Sequence, residues 1–302
     1  MVFFIFNRPV PTTRVFERIR AARPERLIVV ADGPRPSRNE AHLCAETRAI
    51  VEAVDWPCEV HRDYSDANMG CGRRIASGLD LAFGISEDAI ILEDDCLADP
   101  TFFPFAWEML DRYRDDARIF MVSGNNFLPS ERPDQDSYYF SRIPHCWGWA
   151  TWRRAWKQFE FDAPSWTKDR DPVVFFGPPR IQNFLASQLD ETINGKIDTW
   201  DYQWQYFMGI NRSLSIVPAS NLVENVGFGA DATHTTTESP THMVPARPIV
   251  FPLKHPAVVA QDVGRDENEH RMLYTWLKDK KQTPLRKFFR KIRQSLKEGR
   301  AG

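Results

Sequence analysis

Four apolar runs of strand length, Val2–Phe6, Leu27–Ala31, Ala89–Leu92 and Ile119–Val122, punctuate the first 124 residues, with helix-patterned segments between them. Thr12–Ala22 sets Val15, Phe16 and Ile19 at helical spacing, Ala41–Ala53 reads as a second helix, and Arg73–Phe83 brings Ile75, Leu79, Ala82 and Phe83 to one face. Glu59–Arg62 reads as a further short strand. After Ala89–Leu92, Asp99 is expected to cap a helix with Pro100 at its first position, carrying Phe103, Trp107 and Leu110. Alternation of this kind predicts an α/β fold. Its sheet is mostly parallel, covered by helices on both faces and joined by right-handed crossovers.

From about Asn125 the periodicity fades and aromatic residues crowd in, which predicts an irregular second lobe extending to about Val263. Within it, 229–248 is rich in Thr, Ser and Pro and reads as a loop or lid. The net charge of the 302 residues is only −2, which argues against nucleic acid as a partner. That charge is unevenly placed: Lys278–Gly302 holds ten Lys or Arg against Asp279 and Glu298. In the same tail Leu285, Phe288, Phe289, Ile292 and Leu296 recur at helical spacing, so it reads either as a basic amphipathic helix for an anionic membrane surface or as a solvated terminal helix. The five cysteines form no CxxC pair, which fits a reducing compartment. Neither a span of about twenty apolar residues nor a signal peptide is evident. The expected location is therefore cytoplasmic, peripheral at the inner face of the membrane if the tail binds there.

In an open parallel sheet, ligands bind beyond the carboxyl ends of the strands where strand order reverses. The polar residues of this chain fall there: Asn7 and Arg8 after the first run, Asp32 after the second, and Glu93-Asp94-Asp95 after the third. Three consecutive carboxylates repel one another, and a hard divalent cation, Mg²⁺ or Mn²⁺, relieves that repulsion. Asn68–Arg74, with two glycines and two arginines before a helix, is a weaker candidate for a phosphate contact, through the helix N-terminus and Arg73. Trp147, Gly148, Trp149 and Trp200 offer indole faces and a close backbone approach suited to a sugar. Asp201, beside Trp200, is a candidate general base, and Asp198 or Asp201 could equally begin a helix. His234, in a polar loop, could complete a metal site or contact phosphate.

Taken in order, these marks resemble the GT-A-fold nucleotide-diphospho-sugar glycosyltransferases. They are similar to the bacterial family 2-like enzymes and to the N-acetylglucosaminyltransferase I type. The resemblance runs from about Val2 to Thr235. It is carried by Phe6-Asn7-Arg8, Val30-Ala31-Asp32-Gly33, Leu92-Glu93-Asp94-Asp95 continued by Asp99-Pro100-Thr101-Phe102-Phe103, Val122-Ser123-Gly124-Asn125-Asn126, Gly148-Trp149, Trp200-Asp201 and Gly227 through His234.

The resemblance implies a nucleotide-sugar-binding half over 1–124 and an acceptor-binding and catalytic half beginning at 125, taken to extend to 263; the basic amphipathic tail over 264–302 is read from its own charge and spacing. It implies that Asp95, with His234, holds Mn²⁺ or Mg²⁺, and that Asp32 and Asp94 contact base and ribose. Asp201 would be the base of an inverting transfer from a donor such as a UDP-sugar to a glycan or lipid-linked hydroxyl. A role in polysaccharide biosynthesis follows from the same likeness. Two other readings stay open: a sugar-1-phosphate nucleotidyltransferase, and a non-catalytic sugar-binding or membrane-scaffold protein.

Overall fold

The structure is a computed structural model, and it describes residues 1–128, 136–227, 244–273 and 275. It begins with β1 (Val2–Ile5), α1 (Pro9–Ala22), β2 (Arg26–Ala31), α2 (Ala41–Val51), β3 (Glu59–Tyr64), α3 (Cys71–Ile85) and β4 (Asp88–Glu93). Next come β5 (Cys96–Ala98), α4 (Phe102–Arg112), β6 (Ile119–Ser123), β7 (Tyr138–Ser141), β8 (Trp149–Trp152) and the short α5 (Arg153–Trp156) and α6 (Pro164–Lys168). The rest is α7 (Pro179–Ile193), α8 (Asp201–Ile210), β9 (Leu214–Pro218) and β10 (Val223–Asn225). A last helix covers 263–273.

Eight strands form one sheet in the order β3-β2-β1-β4-β8-β6-β9-β7. The pairs from β3 to β4, and β6 with β9, are parallel. β8 runs against both of its neighbours and β7 runs against β9, so six strands point one way and two oppose them. Strand order reverses between β1 and β4, because β1 lies between β2 and β4. This is the mostly parallel α/β sheet that the first half of the sequence predicts. β5 pairs with β10 in a separate antiparallel ribbon.

Successive side chains of a strand face opposite sides, and the two cores separate on that rule. Phe3, Ile5, Leu27, Val29, Ile90 and Leu92 pack with Val15, Phe16 and Ile19 of α1 and with the apolar face of α4. Val2, Phe4, Ile28, Val30, Ala89 and Ile91 pack on the other side with Ile75, Leu79 and Phe83 of α3 and with Trp200 and Trp204. A third, smaller core joins Trp166, Phe175, Leu185 and Phe207 around α6, α7 and α8.

Two local expectations are revised. Asp99 does not cap a helix at Pro100: its carboxylate accepts the Thr101 amide at 2.9 Å, a turn that precedes a helix beginning at Phe102. The region past Asn125 is also more regular than its sequence pattern suggests, since β7, β8 and β9 all enter the main sheet. These strands are buried on both faces, so polar and apolar residues do not alternate along them.

Candidate active site

A cleft of about 260 Å³ opens beyond the carboxyl ends of β1, β2 and β4. β1 lies between the other two, and neighbouring strands are spaced by roughly 4.8 Å, so the residues that follow them share one rim. Arg8 flanks the start of α1, where the chain turns back from β1. Its Nη2 donates to Asp94 Oδ1, and its Nη1 donates to Asp95 Oδ2 at 3.0 Å. The Phe6 amide donates to the other Asp94 oxygen at 3.2 Å. Asp94 and Asp95, at the end of β4, are thus bracketed by groups that follow β1.

Five carboxylates (Asp32, Glu93, Asp94, Asp95 and Asp198) and three arginines (Arg8, Arg35 and Arg74) line the cleft. Arg35 is paired with Glu40 and Arg74 with Asp63, so neither is spare positive charge for the acids at the end of β4. Burial, and then the charges of Asp95 and Asp94, push the Glu93 carboxyl up to about 8. Burial also raises Asp94, against the opposing pull of Arg8. Arg8 itself stays protonated: its neighbours Asp94 and Asp95 outweigh the penalty of burial. Even with Glu93 protonated, the cleft holds more negative charge than it neutralises: Asp32, Asp94, Asp95 and Asp198 face it, while Arg35 and Arg74 are paired with Glu40 and Asp63.

Asp32 lines the cleft, but its carboxylate is spent on the protein. Oδ1 accepts the amides of Gly33 and Met69 at 2.8 and 2.9 Å, and Oδ2 accepts Asn68 Nδ2 and the Gly70 amide at 2.9 and 3.2 Å. Four donors fill the acceptor capacity of a carboxylate, so Asp32 fastens the 66–70 loop to the end of β2 and is not free to read a base. Asn7, expected on the nucleotide, instead donates its Nδ2 to Glu40 at 2.8 Å and does not line the cleft. Glu40 is buried and also accepts the Arg35 amide, Nε and Nη2. Those bonds, the Arg35 pair foremost, pull its carboxyl down to about 2. The guanidinium it holds lies over the Phe6 ring, 5.2 Å from the centroid, on the cleft wall. Neither Arg35 nor Glu40 stands out in the sequence, because a surface Arg–Glu pair would look the same.

The N-terminus of α3 was expected to receive phosphate, with help from Arg73. In the structure the two oxygens of Asp198 take the amides of Cys71 and Gly72 at 2.8 and 2.9 Å. Arg73 points outward, over Phe161 and toward Asp162. The arginine that lines the cleft is Arg74, whose guanidinium ties the ends of β2 and β3 through Ala31 O and Asp63. Adjacent helix residues point about 100° apart, so the spacing alone could not say which arginine turns inward.

Of the aromatic candidates, only Trp147 lines the cleft, with the Phe127 ring packed edge-on at 5.5 Å. Trp149 and Trp200 are 1% and 2% exposed and stack on each other with centroids 5.1 Å apart. They belong to the core under α3 and α8 and are no sugar platform. Gly148 is likewise buried by packing: it has φ of +65° and a Cβ there would strike Val223, so glycine is needed for the turn and not for a ligand. Asn125 and Asn126 are buried and donate to Val223 O and Pro218 O, holding the segment after β9.

Asp201 is the first residue of α8 and accepts a hydrogen bond from Thr199 Oγ1. It does not line the cleft, although its charge reaches Glu93 and Cys71 from nearby. His234 and the basic tail from Pro284 lie outside the described residues. The five cysteines are free thiols. Among the described residues, no helix is long and apolar enough to cross a membrane, and no three His, Cys, Asp or Glu side chains converge as a metal cage.

No protein-family profile matches the chain, and comparison with curated proteins finds no match. Solved structures show distant likeness. One is residues 1–349 of TarS from S. aureus: 10% identity over 74% of this chain and 59% of that one, TM-score 0.39. The chain thus spans less than two thirds of that structure. Mouse xyloside xylosyltransferase 1 matches at 10% identity over 70% of this chain and 81% of its own, TM-score 0.33. A UDP-glucose pyrophosphorylase complexed with UDP-glucose matches at 13% identity over 72% and 89%, TM-score 0.35. Likenesses this remote support no functional inference.

Proposed function

We propose that the chain is a divalent-cation-dependent glycosyltransferase that moves a sugar from a nucleoside-diphosphate donor, such as a UDP-sugar, to a glycan or lipid-linked hydroxyl. The observation that carries this reading is the unbalanced charge of the cleft at the reversal of strand order. With Glu93 protonated, a diphosphate still meets four carboxylates and three already-paired arginines in this pocket, so a cation must come with it. Mg²⁺ and Mn²⁺ are commonly held by one or two carboxylates plus substrate phosphates, so the lack of a three-residue cage fits this use.

One feature suits such an ion. The space beside Asp95 Oδ2 is kept clear by Gly227, where a Cβ would collide with that oxygen and with Arg8. Asp95 would hold the ion, with Glu93 beside it. When bound, the cation supplies charge neutralisation to the departing nucleoside diphosphate.

The protein's own groups do the rest. β1 and β2 seat the nucleoside against Phe6 and the Arg35 held by Glu40. Trp147 meets the sugar or the acceptor at the mouth. Asp201, at the start of α8 and outside the cleft lining, would have to reach the acceptor side to take the hydroxyl proton as that oxygen bonds to the anomeric carbon. The bond from that carbon to the donor's phosphate oxygen breaks on the opposite face, which inverts the anomeric centre.

The test is a Mn²⁺ titration of donor turnover with Asp95→Asn and Asp201→Ala, following the released nucleotide. The reading expects both variants to lose most transfer and the product to be a nucleoside diphosphate. Undiminished turnover of Asp95→Asn at equal Mn²⁺ would remove the metal role. Near-wild-type turnover of Asp201→Ala would remove it as base. Release of inorganic pyrophosphate when the protein is given a nucleoside triphosphate and a sugar 1-phosphate instead would favour the nucleotidyltransferase.

A further inference from the structure

Arg8 raises a problem for the site just described, and the inference here rests on that reading. The carboxylate assigned to the cation is already spent on a fixed positive charge. Arg8 Nη1 sits 3.0 Å from Asp95 Oδ2 while Nη2 is bonded to Asp94, so the guanidinium is gripped at two points. The surroundings are well shielded from water: the side chains of Arg8, Asp94 and Asp95 are 19%, 4% and 14% exposed. Charges so placed are weakly screened. Among the described residues, the second oxygen of Asp95 has only a weak sulfur contact, Cys96 Sγ at 3.6 Å. A divalent cation approaching Asp95 therefore meets the Arg8 charge at close range.

A diphosphate changes that balance. Its oxygens accept N–H donors from a guanidinium as readily as a carboxylate does. Once Arg8 turns a donor to the diphosphate, Asp95 Oδ2 is left for the cation, and the cation in turn draws the diphosphate. We propose that Arg8 is a resident counter-ion that makes the cation's hold on Asp95 conditional on the diphosphate. The bare protein then binds the ion weakly, and ion and donor bind cooperatively, each strengthening the other by the same factor. In the absence of substrate Arg8 offsets part of the negative charge of Asp94 and Asp95, which an unpaired cluster in a shielded cleft would leave uncompensated.

The test uses Mn²⁺ alone, with nucleotide-free protein, and reads free Mn²⁺ by electron paramagnetic resonance. Arg8→Met and Arg8→Gln should bind Mn²⁺ at least about tenfold tighter than wild type. Adding Asp95→Asn to either variant should erase the gain. Folding is read from each melting transition, and Arg8→Gln, which keeps an amide donor for Asp94, serves if Arg8→Met does not fold. Mn²⁺ affinity in Arg8→Gln equal to or weaker than wild type overturns the proposal. If Asp95→Asn still weakens Mn²⁺ binding in that case, the reading of Asp95 as metal ligand survives alone. If Asp95→Asn leaves Mn²⁺ binding unchanged in both backgrounds, both fall.

Discussion

The carboxylate of Asp198 and the backbone amide of Gly72 meet at 2.9 Å although 126 positions separate them in the chain. The second Asp198 oxygen takes the Cys71 amide, so one side chain from the loop before α8 closes the first turn of α3. Orphan amides at a helix start need acceptors, and a negative charge there also meets the positive end of the helix dipole. The same contact fixes the segment that leads into Asp201. It joins the two halves of the chain across the cleft.

Asp198→Ala should therefore destabilise the fold by about 1–2 kcal/mol, the usual worth of a helix cap. Thermal melts would show a lowered midpoint. Asn can accept only through its single carbonyl oxygen, so Asp198→Asn should fall between the two. Identical midpoints for all three proteins would contradict the capping role.

Gly227→Ala should fold and yet lose cation binding. The added methyl would collide with Asp95 Oδ2 and Arg8 Nη1, both at the cleft rather than in the core. Disturbing a group that orients a metal ligand commonly weakens affinity by about 10–100-fold. A melting midpoint near wild type together with weakened Mn²⁺ binding is the expected pair of results.

Trp200→Ala should unfold the protein more readily instead of acting on acceptor affinity. The indole is 2% exposed and stacked on Trp149, and emptying such a site costs about 3–5 kcal/mol. Denaturant melts should show that loss. A variant of unchanged stability with a raised acceptor KM would instead place Trp200 at the sugar.

Glu93 sets a pH dependence with a definite sign. Its carboxyl is raised from an ordinary 4.5 to about 8, chiefly by burial. Between these values the folded protein binds the proton that the unfolded chain releases, so stability falls as pH rises through that window. Melts of cation-free protein should show the midpoint declining from about pH 4.5 to about pH 8 more steeply in wild type than in Glu93→Gln. Equal slopes would mean that Glu93 ionises freely.

Much of the site's frame was legible in the sequence. Strand-length apolar runs each closed by polar residues place Arg8, Asp32 and the Glu93–Asp95 triplet on one rim, because a parallel sheet delivers all its strand ends to the same edge. Side-chain direction was much less legible. Arg73 and Arg74 are adjacent, and only packing of α3 against the sheet turned the second one inward.

What the sequence determined by itself, then, is the α/β class, the position of the acidic triplet at a strand end, and the neighbours that share its rim, since these follow from local periodicity and chain direction. The tertiary structure alone decided how the polar groups are spent. Asp32 is saturated by a loop, the α3 amides go to Asp198, and Trp149 and Trp200 are taken into the core. A carboxylate or an indole reads the same in sequence whether its partner is solvent, a ligand or a distant backbone amide. The choice among them is made only when long-range folding sets which donors come within hydrogen-bond reach.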